Sequence, residues 1–148
     1  MSWLLLLPVA LVAGMALSTQ FAVNTQLRTV VGGPVAAAAV SFLIGTVFLV
    51  IAALAVTRST PALGEITGSP WWVWTGGILG AFFVFASVVL TPRLGAATTV
   101  GLFLTGQVTA SIILDHFGLL RLPVHEATLP RLLGALLIVA GVVLVQRF

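Results

Sequence analysis

A chain of 148 residues that is 60% hydrophobic and only 6% charged cannot clothe a soluble surface, because an ordinary soluble domain is about a quarter charged. Its net charge of +3 comes from six arginines and no lysine, set singly along the chain; that spacing excludes a nucleic-acid patch and marks loop ends of a membrane protein instead. Without cysteine there is no disulfide, thiolate nucleophile or Fe–S cluster, and the redox compartment stays open.

Five apolar segments can be read, at about 3–27, 34–57, 71–90, 94–117 and 131–146. Four are near the roughly 20 residues that cross hydrocarbon, and the fifth is short. The expected fold is an all-α membrane protein, a single five-helix transmembrane domain over residues 1–148. The first segment resembles a signal peptide, with Ala16 and Ser18 as small residues. It lacks a positive n-region and stays apolar past Ser18, so it is read as a retained first helix. It ends at Leu27-Arg28, before the breaker Gly32-Gly33-Pro34, and Pro34 suits the first turn of the second segment. Residues 59–70 form the longest polar stretch, with turn signals at Pro61, Gly64, Glu65 and Gly68. Thr91-Pro92-Arg93 predicts a tight break between segments three and four. A second polar loop over 119–130 carries Arg121, Pro123, His125, Glu126 and Pro130.

The fourth segment holds the densest polar groups. Gln107, Ser111 and Asp115 recur at i, i+4, i+8, so on a helix they line one side, drifting about 40° per step. Such a stripe must face another helix or a water-filled cavity. Gln20 and Asn24 make a similar pair on the first segment, with Arg28 one turn further. The amides are read either as interhelical hydrogen-bonding groups or, with Gln107, as the lining of one solute site near the midplane, with Ser111 as hydroxyl donor. Asp115 is the one acid in any predicted span and a candidate proton carrier; its position near the helix end, beside His116 and close to Arg121, leaves an interfacial role open. Ser111, Asp115 and His116 are the residue types of a hydrolytic triad, but on one short helix they cannot converge, and no enzyme is expected. No metal-ligand or cofactor pattern occurs; His125-Glu126 lacks the second histidine of a zincin.

The four tryptophans, Trp3, Trp71, Trp72 and Trp74, fall toward the N-terminal side of the chain. Indoles anchor helix ends at headgroup depth; Trp74 alone lies a turn inside its segment and is a candidate cavity wall. Gly76-x-x-x-Gly80 and Gly77-x-x-x-Ala81 predict close helix packing, and Gly134 and Gly141 are read the same way. With five spans, Arg58, Arg121 and Arg131 share one side of the membrane, and Arg28, Arg93 and Arg147 the other. Three against three gives almost no instruction on orientation. It reflects either the chance balance of a small protein or insertion both ways with antiparallel pairing.

Taken together, Gln20…Asn24-x-x-Leu27, Pro34 before an alanine-rich run to Ser41-Phe42-x-x-Gly45, Trp72-x-x-x-Gly76-Gly77-x-x-Gly80-Ala81, Pro92-x-Leu94-Gly95-Ala96 and Gly106-Gln107-x-x-x-Ser111-x-x-x-Asp115-His116-Phe117-Gly118-Leu119 resemble the YdcZ-type family. These are small bacterial membrane proteins within the drug/metabolite transporter superfamily. The resemblance covers nearly the whole chain, most specifically in the Gly-Gln…Ser…Asp-His-Phe-Gly string. It implies a multi-pass protein of the bacterial cytoplasmic (inner) membrane, a five-helix half of a ten-helix inverted-repeat transporter. It also implies an antiparallel homodimer or a pair with an oppositely oriented paralogue. Related small multidrug carriers use a glutamate in their first helix; here that helix has Gln20 and Asn24, so cation-for-proton exchange through a first-helix acid does not carry over. The expectation is a secondary transporter of a small organic solute, against a non-transporting subunit whose polar stripes only hold helices together.

Overall fold

The computed structural model describes residues 6–56 and 68–147, and its regular elements are all helical. They are α1 (Leu6–Val31), α2 (Pro34–Val56), a 3-10 turn (Trp71–Trp74) running into α3 (Thr75–Leu94), α4 (Ala96–Phe117), a second 3-10 turn (Leu119–Arg121) and α5 (Leu129–Arg147). With the tryptophan turn counted into α3, five helices of 19 to 26 residues are long and apolar enough to cross a membrane. The all-helical, five-span expectation is therefore met. Trp3, Arg58 and the turn signals Pro61, Gly64 and Glu65 lie outside the described residues.

Glycine and proline set the helix ends, though not always where the sequence suggests. α1 runs past Arg28 to Val31 and closes with Gly32 at φ +83°. Gly33 N donates to Arg28 O at 3.0 Å, the six-to-one bond of a Schellman cap. Pro34 then opens α2, where its missing N–H is no loss. The break expected at Thr91-Pro92-Arg93 falls later. α3 continues through Pro92 to Leu94, and Gly95 at φ +83° makes the corner. α4 stops at Gly118 in the left-handed region, with its N–H on the carbonyls of Asp115 and Leu114. α5 begins at Leu129, two residues before the arginine expected to open it, and Pro130 sits in its first turn.

The chain divides into two compact units, Met1–Pro92 and Arg93–Phe148. In the first, α1 packs on α2, and Ala37 and Ala38 of α2 meet Val84 and Val88 of α3 in a small buried core. Phe21 packs against Phe83 in a tilted pair, with ring centroids 5.6 Å apart. Gly80 lets the Phe42 ring come close: a Cβ there would stand 3.2 Å from Phe42 Cζ. The same test at Gly76 and Gly77 meets no atom within 4 Å. In the second unit α4 and α5 form an antiparallel hairpin. Gly101 is its closest approach, since a Cβ would stand 2.7 Å from Val142 Cγ2. Gly134 and Gly141, the positions the sequence suggested for this packing, meet no atom within 4 Å.

Candidate functional site

Each unit carries its own polar region. In the first, residues of α1, α2 and α3 line a groove of about 320 Å³. Its polar side chains are Gln20, Ser41 and Thr46, set among Phe42, Leu49 and Phe83. One amide and two hydroxyls thus face a mostly apolar trough inside membrane-spanning segments, the usual make-up of a small-molecule site. The helical period puts Asn24 one turn along α1 from Gln20, on the same side. Asn24 is 3% exposed, and its Nδ2 has no hydrogen-bond partner. A buried donor left unpaired costs about 1–3 kcal/mol, and among the described residues the Asn24 N–H groups tie α1 to no other helix.

Two further polar residues on α3 are buried. Ser87 Oγ bonds back to Val84 O at 2.7 Å, whereas Thr91 Oγ1 has no partner. The sequence marks none of Ser41, Thr46, Ser87 and Thr91 as a site residue, although Ser41 stands in the family motif and Thr91 in the expected break. Ser87 and Thr91 show the same i, i+4 signal that singled out Gln20 and Asn24, and hydroxyls in apolar runs are easily discounted because most bond their own helix. Trp74 ends the 3-10 turn and is 58% exposed.

Arg28 joins α1 to α3. Its Nη1 donates to Val88 O at 3.3 Å. That carbonyl is available because Pro92, four residues on, has no N–H to return to it.

In the second unit Gln107 and Ser111 are exposed along α4. Asp115 is held at the helix end by Arg131 of α5: Nη2 donates to Asp115 Oδ2 at 2.5 Å. The same guanidinium reaches back to His125 O at 2.9 Å and Glu126 O at 3.3 Å. His125 N donates to Asp115 O at 2.9 Å, and Ala127 N donates to His116 Nδ1 at 3.2 Å. The Asp115–Arg131 pair therefore ties the hairpin loop to both helix ends.

The chain matches the family described as "Putative inner membrane exporter, YdcZ" over residues 5–144. Among curated proteins, it is 32% identical to "Inner membrane protein YdcZ" of Escherichia coli (strain K12) over 136 residues, covering 91% of this chain and 90% of the relative. No solved structure matches it. Five apolar helices and this likeness agree on a multi-pass protein of the bacterial inner membrane. The chain belongs to the YdcZ family of inner-membrane proteins.

Proposed function

We propose that the protein is a secondary transporter of a small organic solute, in which two oppositely inserted copies assemble a ten-helix bundle of the drug/metabolite transporter type. The family description supports export. The observation that carries the reading is the Gln20 groove: an amide and two hydroxyls open to a trough within membrane-spanning helices, with the unpaired Asn24 amide one turn away. A subunit whose polar residues serve only as ties would pair these amides, because that is their sole use in lipid. Recognition draws on Gln20 and Asn24 of α1 and on Gln107 and Ser111 of α4, with Trp74 as an aromatic wall. An inverted second copy covers Gln107 and Ser111, which a lone chain leaves exposed to hydrocarbon. Gly76 and Gly77 offer the flat helix surface that such pairing uses.

Asp115 is the candidate coupling acid. Its bond to Arg131 supports a second role, that of locking the α4–α5 hairpin. The test of transport is a ligand-stabilisation screen on purified protein, followed by uptake of each hit into proteoliposomes. Wild type should move at least one stabilising solute, and Gln20→Leu should abolish that flux while leaving the melting temperature of the unliganded protein unchanged. Equal flux in Gln20→Leu, or hits that bind and are never moved, contradicts the reading.

A further inference from the structure

Arg28 stands half-buried in the last turn of α1, and only one of its N–H groups is engaged by the α3 backbone. Within the Met1–Pro92 unit no carboxylate occurs among the described residues to balance it. The partial negative charge at the C-terminus of α1 favours a cation there, but satisfies none of its remaining donors. A guanidinium is a planar fork matched to oxyanions. Two more polar groups lie a turn away along the two helices that the Arg28–Val88 bond joins. Asn24 lies one turn back on the same side of α1, and Thr91 lies one turn beyond Val88, whose carbonyl Arg28 holds. Both are more than nine-tenths buried, and Asn24 Nδ2 and Thr91 Oγ1 are the buried side-chain atoms left without a partner among the described residues. A fixed charge with spare donors thus shares this stretch of α1 and α3 with an unpaired amide N–H and an unpaired hydroxyl.

We propose that Arg28, Asn24 and Thr91 form an oxyanion-binding site. The anionic group, a phosphate or a carboxylate, takes the free donors of Arg28 from its half-exposed side. Asn24 Nδ2 and the Thr91 hydroxyl turn to it from the buried side. Arg28 lies three residues from the end of a membrane-spanning helix, the depth at which both a lipid headgroup and a solute carboxylate can reach it. The inference concerns binding alone and does not rest on the transport reading.

The test melts the purified full-length protein in neutral detergent at fixed ionic strength. It adds dioleoyl phosphatidylglycerol in one arm and sodium benzoate in the other, with phosphatidylcholine and sodium chloride as controls. At least one of the two anions should raise the melting temperature saturably, beyond its control. A response to the lipid alone identifies a headgroup phosphate as the source, and a response to benzoate identifies a solute carboxylate. Arg28→Gln removes the charge but strands Val88 O, so it is made together with Pro92→Ala, which returns a backbone N–H to that carbonyl. In this double variant the apparent affinity should fall about tenfold or more. Asn24→Leu, which leaves the Arg28–Val88 bond in place, should weaken binding in the same direction. The site is overturned if neither anion shifts wild type, or if either variant responds as wild type does.

Discussion

Asp115 is the residue at which two accounts of the second unit diverge. A proton carrier must release and regain its proton during the cycle, whereas a lock only needs an opposite charge opposite it. Its carboxylate sits on Arg131, and Arg131 also gathers the carbonyls of His125 and Glu126, so a lock fits the surroundings. Reversing the pair separates the roles. Asp115→Arg and Arg131→Asp alone should each lower the melting temperature, and the double reversal should recover much of the loss if the residues form a lock. If the double variant regains stability but no transport, the carboxylate at position 115 does more than lock the hairpin. At this scale the sequence was legible where a residue type is rare in lipid: Gln20, Asn24, Gln107 and Asp115 stand out on composition alone. The partner of Asp115 was not, because Arg131 lies sixteen residues away and is brought back only by the hairpin. Ser41 and Thr46 were missed because their place on the groove depends on which face of α2 turns inward, and α2 is apolar all round.

At the scale of the helix, Pro92 shows why a local rule gave the wrong boundary. Proline usually ends a helix because it strands the carbonyl four residues back. Here Arg28 donates to that carbonyl, and α3 continues to Leu94. A contact sixty residues distant in sequence thus overrides a local break. The relation is testable as a cycle. Arg28→Gln should destabilise the protein by about 1–3 kcal/mol, the cost of a buried carbonyl left unpaired. Adding Pro92→Ala should restore most of it, read from thermal or denaturant unfolding in detergent. Additive losses would show that the guanidinium does not serve Val88. Gly101 makes a second case. Small residues at i, i+4 pointed to Gly76, Gly77 and Gly80, of which Gly80 alone meets a neighbouring side chain, while the tightest helix-to-helix glycine approach is Gly101 against Val142. A lone glycine in a run such as Val100-Gly101-Leu102 has no sequence signature beyond being small. Gly101→Leu should separate α4 from α5 and cost about 1–3 kcal/mol or more, whereas Gly134→Leu, at a position with no atom nearby, should leave the unfolding midpoint close to wild type.

For the whole molecule, the number of spans was legible because each helix is a long apolar run bounded by Gly, Pro or Arg. The assembly was not, since one chain's sequence specifies a surface and says little about what covers it. The balance of arginines is the exception. Arg58, Arg121 and Arg131 on one side oppose Arg28, Arg93 and Arg147 on the other, and neither orientation gains from the cytoplasmic preference for Lys and Arg. An evenly poised chain should be easily tipped. One lysine added beside Arg147 should drive the C-terminus into the cytoplasm, and one beside Arg58 should drive it outward. The most direct measurement for two opposed copies building one transporter is a pair of C-terminal reporters on the unmodified chain, one active only in the cytoplasm and one only outside. Both should be active at comparable levels; activity of one alone would contradict the antiparallel homodimer and require a differently biased partner chain.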